Sequence, residues 1–295
     1  MRMLLCTAVY EAGRPFVDAW CRTVQAAAAR YSDAVSVLLA VDGMPGARHA
    51  YAALSRSMNV EFLEPGPLAT PALVRGAMLS AAASRDVEAL VFLDMDDEAE
   101  PDFLALHRRA LADADASYGD VRVIGADGTE LEGSFFAGCD VPDSVESIEP
   151  LRRRNFLGFT NTAVWKARIS PAALAIPADV QAADWWFFST LLRAGWRARR
   201  ARGTVSGYRR HGASMIGGGM AATAADLARR CSVVAAHGAR FEDDAVVREF
   251  GRRATKLGAE INRDASVAKR HLSQPARRFV WHEDVWHFTS EEAVH

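Results

Sequence analysis

The first 115 residues alternate between short apolar runs and longer amphipathic stretches. The apolar runs end at turn residues and predict buried strands at 3–9, 35–41, 60–63 and 89–93. The stretches that follow these runs have helical spacing and predict helices at 15–30, 47–57, 71–84 and about 101–115. Strands that alternate with helices pair in parallel through right-handed crossovers. The predicted fold class is therefore α/β.

Beyond residue 115 this alternation is lost. Two runs at 121–126 and 130–136, separated by Asp127-Gly128, predict an antiparallel hairpin. A strand at 158–165 and a helix at 183–194 follow, and Gly195 ends that helix.

A triple glycine at 217–219 is the best candidate for a domain boundary. Helical spacing follows it at 221–237 and 241–263, whereas the final residues have no clear period. We predict a domain over 1–216, with halves at 1–115 and 116–216, and a helical C-terminal extension over 217–295. The extension could pack on the domain, pair with a second copy or lie on a membrane surface; packing or a homodimer is favoured.

Composition narrows the class of protein. Of the 295 residues, 50% are hydrophobic and 24% are charged, which suffices for a sizeable core. The apolar runs are far shorter than the roughly 20 residues that span a bilayer, and no signal-peptide cleavage site follows the first run. The scattered cysteines are typical of reduced thiols. We expect a cytoplasmic protein without a transmembrane segment, with peripheral contact at the inner face of the membrane left open.

Charge divides unevenly along the chain. Residues 1–150 contain 11 Lys and Arg against 24 Asp and Glu, and residues 151–295 contain 24 against 13. The basic residues have no aromatic residues interleaved at regular spacing, so nucleic acid is not an expected partner.

Three carboxylates, Asp94, Asp96 and Asp97, follow the predicted strand at 89–93. Open parallel sheets bind ligands at the carboxyl ends of their strands. Carboxylates this close repel one another unless a cation compensates, and Mg²⁺ or Mn²⁺ shared with substrate phosphates is the usual solution. The alternative is a solvated acidic loop, but its position after a buried strand favours metal and phosphate binding.

The segment 93–97 resembles the DxD-type motif of the family 2 glycosyltransferases, whose nucleotide-binding half has the GT-A fold. Three more segments follow the order of that family. They are Ala8-Val9-Tyr10-Glu11, which resembles Pro-Thr-Tyr-Asn; Ala40-Val41-Asp42-Gly43, which resembles Val-Asp-Asp-Gly with one Asp missing; and Leu73-Val74-Arg75-Gly76, which lies where Ala-Arg-Asn is common. The match covers about residues 3–215 and implies a Rossmann-like, mostly parallel central sheet flanked by helices.

The resemblance implies a donor site. Its nucleotide-binding residues would be Ala8, Tyr10, Glu11, Asp42, Arg75, Asp94 and Asp96. Asp42 would accept a hydrogen bond from the base, and Tyr10 would stack beside it. Asp96 and Asp97 would divide metal coordination and contact with the ribose. Taken alone, Asp42 is equally an ordinary Asp-Gly turn after a strand.

Asp184 begins the predicted helix at 183–194. The segment resembles the family's Glu-Asp motif, with Ala183 in place of Glu, and the resemblance makes Asp184 the catalytic base. The helix dipole favours the charged form that a proton acceptor needs, although Asp184 could instead cap the helix. Trp185 and Trp186 are candidates for an apolar platform against an acceptor sugar, with core packing as the commoner alternative.

The segment Tyr208-Arg209-Arg210-His211 resembles the family's late Tyr-Arg-x-His segment. The resemblance implies that Arg210 contacts the departing diphosphate and that His211 contacts the metal ion. A solvated strand face is the alternative.

Together these features predict a metal-dependent inverting glycosyltransferase. It would move a sugar from a nucleotide-diphosphate donor, a UDP-sugar being favoured, to a hydroxyl of a sugar or glycolipid-type acceptor, in bacterial surface polysaccharide or glycoconjugate synthesis. Inversion is expected because no second nucleophilic carboxylate is visibly placed. The alternatives are a sugar-nucleotide nucleotidyltransferase, which usually has a basic Gly-rich loop after the first strand, and a non-catalytic sugar-nucleotide-binding protein.

Overall fold

The computed structural model describes residues 1–66, 68, 70–212, 223–272 and 278–289. The boundary expected at 216 and the triple glycine at 217–219 lie outside these residues, so the division of the chain at that point stays a prediction.

A sheet of ten strands forms the centre of the described structure. The strands are β1 (Met3–Tyr10), β2 (Val35–Asp42), β3 (Asn59–Leu63), β4 (Ala89–Phe92), β5 (Glu98–Ala99), β6 (Ala116–Ile124), β7 (Glu130–Glu132), β8 (Ser144–Val145), β9 (Thr162–Trp165) and β10 (Ala198–Arg209). The helices are α1 (Val17–Ala29), α2 (Ala47–Ala50), α3 (Ala52–Ser55), α4 (Pro71–Ala83), α5 (Phe103–Leu111), α6 (Pro171–Leu174), α7 (Ala183–Arg193), α8 (Ala224–Gly238), α9 (Ala245–Arg263), α10 (Ser266–Leu272) and α11 (Glu283–Thr289).

The strand order in the sheet is β3-β2-β1-β4-β9-β6-β10-β5, with β7 beside β6 and β8 beside β10. Strands β1 to β4 pair in parallel, as the alternation of the first half predicts. Strand β9 enters antiparallel between β4 and β6, while β10 returns parallel to β6. The longest ladders are parallel, and the predicted α/β fold class is confirmed.

Both faces of the sheet are buried. Because side chains alternate along a strand, Leu4 and Cys6 of β1 contribute to one core cluster and Met3 and Leu5 to the other. Helices α4, α7, α8 and α9 cover the first face, whereas α1 and α5 cover the second. This two-sided covering leaves the carboxyl ends of the parallel strands as the natural place for a site.

Several elements differ from their predicted extent. The predicted helix at 47–57 is two short helices, α2 and α3, and the predicted strand at 158–165 begins only at Thr162. The hairpin is confirmed, since β7 pairs antiparallel with β6.

Helices α8 and α9 confirm the helical spacing of the extension, and they pack on the face of the sheet that α7 covers. Helix α11 comes from the region without a clear period, and most of α10 lies just before that region. None of the described helices combines the length and apolar character that crossing a membrane requires.

Candidate functional site

A cavity of about 400 Å³ lies at the carboxyl ends of β1, β2 and β4. Tyr10 and Asp42 are register partners at the ends of β1 and β2, and the acidic segment follows β4 directly. The predicted residues that line this cavity are Ala8, Tyr10, Asp42, Arg75, Asp94, Asp96, Asp97 and Asp184. The fold therefore brings the predicted donor residues and the predicted base to one space.

The acidic segment is crowded and largely buried. The Arg75 guanidinium donates to the Asp94 carboxylate and also lies 5.1 Å from the ring centroid of Phe159. The Tyr10 hydroxyl donates to Oδ2 of Asp96 at 3.2 Å. Burial raises the pKa of Asp94, because a carboxylate removed from water is less easily ionised.

Asp97 is the most deeply buried of the three acids. Its Oδ1 accepts the backbone N–H of Arg209 at 2.7 Å. Burial, followed by the charges of Asp96 and Asp94, raises the pKa of Asp97 well above its usual range. Its Oδ2 is buried and has no hydrogen-bond partner within the described residues. A proton or a bound cation would satisfy such an atom.

Arg209, rather than Arg210, supports the acidic segment from β10. Its Nε donates to the carbonyl oxygen of Asp96 at 2.6 Å, and its guanidinium also pairs with Glu98. Arg210 follows on the opposite side of the extended chain, where it pairs with Glu132 at 3.1 Å. This placement differs from the prediction, because Arg210 does not line the cavity.

His211 and Glu11 also lie outside the cavity lining. His211 nevertheless reaches the acidic segment, since its Nε2 is 2.9 Å from Oδ2 of Asp96. Glu11 is exposed and pairs with Arg14 at 2.7 Å, so its side chain is directed to a surface contact instead of the predicted donor site.

Asp184 lies in the first turn of α7. Its Oδ1 accepts the backbone N–H of Trp185 at 2.8 Å, and its Oδ2 accepts Nδ2 of Asn155 at 3.2 Å. Burial raises the pKa of Asp184 to about 6. The side chain thus makes a local contact at the helix start and is also ionised at neutral pH, ready to accept a proton.

Trp185 and Trp186 do not form the predicted platform. Trp185 is fully buried, and its indole N–H donates to the carbonyl oxygen of Leu151 at 2.8 Å. Its ring is stacked between the imidazoles of His237 and His282, at centroid distances of 3.9 and 5.0 Å. Both tryptophans belong to the core cluster on the α7 face, where their large apolar area is better buried than exposed.

No family model and no curated protein matches this sequence. Solved structures match by fold. One is S. aureus TarS 1-349 in complex with UDP-GlcNAc, with a TM-score of 0.56, 11% identity, and coverage of 80% of this chain and 66% of that chain. Another is the mannosyltransferase PcManGT from Pyrobaculum calidifontis in complex with GDP-Man and Mn²⁺, with a TM-score of 0.58, 14% identity, and coverage of 93% and 81%. This chain spans 44% of S. aureus TarS.

The chain has the predicted GT-A fold. Its assignment to family 2 stays a prediction. Within this GT-A fold the described residues contain no group of three or more His, Cys, Asp or Glu arranged to hold a metal ion. The donors nevertheless suit a cation shared with phosphate, because Asp97 offers an unpartnered oxygen and Asp96 meets an imidazole nitrogen.

The sequence did not predict more than half of the residues that line the cavity. The additional lining side chains include Asn155, Phe159, Thr160, Gln181, Tyr208, Trp281 and His282. Tyr208 carried a signal, since it belongs to the Tyr-Arg-x-His-like segment. The others come from irregular backbone or from the aperiodic tail, where periodicity gives no indication of position.

Proposed function

We propose that this protein is a glycosyltransferase that moves a sugar from a nucleotide-diphosphate donor to an acceptor hydroxyl. The observation that carries the proposal is a single cavity that holds both the acidic segment after β4 and the buried carboxylate of Asp184. Transfer needs a charged leaving group and a proton acceptor on opposite sides of one sugar carbon. The nucleotide sugars bound in two proteins of the same fold support this proposal.

On the donor side, Asp42 accepts a hydrogen bond from the base, Tyr10 stacks beside it, and Ala8 offers its backbone. Arg75 faces the diphosphate or the base while its pair with Asp94 holds it at the cavity wall. We favour a UDP-sugar, as in the sequence prediction.

On the acceptor side, Asp184 takes the proton as the hydroxyl attacks the anomeric carbon. The remaining carboxylates of the described cavity wall belong to the donor side, at Asp42 and in the segment 94–97. A single displacement with inversion is therefore proposed.

Asp96, Asp97 and His211 would hold Mg²⁺ or Mn²⁺ together with the diphosphate. Bound there, the ion would neutralise charge on the leaving group. Hydrogen bonds from Arg209 in β10 to Asp96 and Asp97 hold the acidic segment in place at the cavity wall.

We place this activity in bacterial surface polysaccharide or glycoconjugate synthesis, on the cytoplasmic side of the membrane, with a sugar or glycolipid-type acceptor. Peripheral membrane contact and a homodimer through the C-terminal helices belong to the same proposal. Vesicle sedimentation and light scattering test these two points.

A thermal-shift screen of UDP-, GDP- and dTDP-sugars, with and without Mn²⁺, tests the donor site. A metal-dependent rise of a few degrees with one donor class is expected, because a ligand that binds only the folded state stabilises it. No shift with any nucleotide sugar would contradict the proposal. Pyrophosphate release from a nucleoside triphosphate and a sugar phosphate would instead identify a nucleotidyltransferase, and donor binding without transfer or hydrolysis would identify a binding protein.

A further inference from the structure

Two side chains of the cavity wall come from the segment 278–289, about a hundred positions after Asp184 in the chain. They are Trp281 and His282. The backbone of Trp281 is fixed to the wall, since it forms an antiparallel bridge with Asn155 and its carbonyl oxygen accepts the Asn155 N–H at 2.8 Å. His282 has a φ of 69°, the one positive φ among the described non-glycine residues. Such a conformation is kept where the surroundings demand it.

The indole of Trp281 packs against two other aromatic rings. Its ring centroid is 5.0 Å from that of Phe135 and 5.4 Å from that of Tyr208, the second contact being edge to face. Only 7% of Trp281 is exposed. The ring is therefore a rigid part of the wall, and a ligand that covers it loses little side-chain entropy.

Gly158 keeps a gap open between Trp281 and Asp184. A methyl group at Gly158 would lie 3.4 Å from Cζ3 of Trp281 and 3.5 Å from Oδ2 of Asp184. Both distances are ordinary contacts, so an added methyl group would fit the fold but would occupy this gap. The two side chains consequently border one small space that the missing Cβ leaves free.

The charges around this gap favour a neutral ligand. Asn155 and Gln181 are uncharged, and burial lowers the pKa of His282 to about 3, so its imidazole is neutral as well. Arg75 is the one cation among the described lining residues, and Asp94 already pairs with it. An anionic acceptor would meet the charge of Asp184 with no free counter-charge on the described wall.

We propose that the part of the cavity beside the gap bounded by Trp281, Gly158 and Asp184 is the acceptor subsite, and that it takes a neutral pyranoside. The exposed part of the Trp281 indole contacts the C–H groups of the sugar ring, and one hydroxyl enters the gap to reach Oδ2 of Asp184. The inference rests on the proposed function and deepens it, since it names the acceptor class and assigns one aromatic contact with the acceptor to the C-terminal segment.

The test uses the full chain saturated with the donor nucleotide that the thermal-shift screen identifies. Saturation-transfer NMR measures binding of the methyl glycosides of glucose, galactose, mannose and N-acetylglucosamine, with glycerol 3-phosphate as an anionic probe. The variants are Gly158→Ala, Trp281→Ala and Trp281→Phe. The matched control is Gly133→Ala, where an added methyl group would meet only Oε1 of Glu130, at 3.4 Å.

At least one methyl pyranoside is expected to bind the wild type, the control and Trp281→Phe. Gly158→Ala and Trp281→Ala should each weaken that binding roughly tenfold, the size expected from losing one aromatic contact face. Nucleotide-dependent stabilisation should be the same in all variants. If Trp281→Ala does not fold, Gly158→Ala decides the question alone.

The subsite is refuted if no methyl pyranoside binds, if glycerol 3-phosphate binds in preference, or if Gly158→Ala binds like the wild type. Each of these results leaves the proposed function standing as long as a nucleotide sugar stabilises the wild type. Absence of that stabilisation is the separate result that counts against the proposed function.

Discussion

Asp184 combines two demands that usually conflict. Its Oδ1 is anchored by the N–H of Trp185 and its Oδ2 by the amide of Asn155, which fixes the carboxylate in one orientation. Burial at the same place raises its pKa to about 6, so the group is a stronger base than a solvated aspartate. An acid that is fixed, partly desolvated and still ionised at neutral pH suits proton abstraction from a sugar hydroxyl.

We therefore expect transfer to depend on a group with a pKa of about 6. Below that pH Asp184 is protonated, and the rate should fall about tenfold for each further pH unit. Asp184→Asn should lower the rate at least ~100-fold at every pH while donor binding stays unchanged. Steady-state rates from pH 4.5 to 8 measure this. Asp179→Asn, a change at an exposed carboxylate, is the control, and turnover retained in Asp184→Asn would remove Asp184 from the mechanism.

The same raised pKa predicts that ionised Asp184 lowers the free energy of unfolding at neutral and alkaline pH. Because the pKa of Asp184 rises on folding, its contribution to stability is present below about pH 4 and is lost as the pH rises through about 6. A neutral Asn does not suffer this loss. Asp184→Asn should thus be more stable than the wild type by about 3 kcal/mol at pH 8, with the difference vanishing near pH 4. Urea unfolding at both pH values is the measurement, and a pH-independent difference would contradict the assignment.

At the scale of the elements, helices α8 and α9 pack backbone against backbone at two glycines. A Cβ built on Gly238 would lie 2.6 Å from the Cα of Gly251, which no packed pair of helices tolerates. These two glycines let the backbones touch, so the helices form one compact layer over α7.

Gly238→Ala should therefore destabilise the protein by about 1–3 kcal/mol, because the helices must separate to admit the methyl group. Thermal unfolding measures the effect. Gly133→Ala, at an exposed glycine, should leave the midpoint unchanged. An unaltered midpoint in Gly238→Ala would mean that α8 and α9 are not packed this closely.

The elements that sequence could predict are those whose apolar spacing matches their burial. Strands β1, β2 and β4 are mostly apolar, because both faces of a parallel sheet are covered. Strand β10 is also partly buried but has no such run, since alanine, serine and glycine occupy most of its buried positions, whereas Arg199 and Arg202 are exposed. Arg209 is buried there through hydrogen bonds to backbone carbonyls, a kind of burial that residue type does not indicate.

At the scale of the whole molecule, a buried ion pair fixes the C-terminal segment to the helical layer. Nη1 of Arg230 in α8 donates to Oδ2 of Asp284 in α11 at 2.9 Å, and neither side chain is exposed. Asp284 lies two positions after His282, so the pair also determines where that part of the cavity wall is held.

Asp284→Asn should cost about 3–5 kcal/mol, because it leaves the charge of Arg230 buried and undercompensated. The matched control is Asp179→Asn, which breaks the exposed pair with Arg240 and should cost under about 1 kcal/mol. Chemical denaturation compares the two variants. Equal changes in the free energy of unfolding would show that the buried pair stabilises the fold no more than the exposed pair does.

The candidate site divides into a half that sequence could predict and a half that it could not. Donor residues such as Tyr10, Asp42 and Asp96 follow buried strands, and the carboxyl ends of parallel strands necessarily meet at one edge. The opposite wall, with Gly158 and Trp281, is assembled from segments far apart in the chain and without regular spacing. Only the tertiary fold decides that such residues are neighbours.

The sheet order has a mechanical consequence. Strands of the donor half and strands of the acceptor half are joined by main-chain hydrogen bonds, since β9 pairs with β4 on one side and with β6 on the other. Moving the halves apart as two lobes would break the four residue pairs between β4 and β9. Under the proposed function, the separation between donor and acceptor is therefore set when the chain folds, and any adjustment would come from segments outside the sheet.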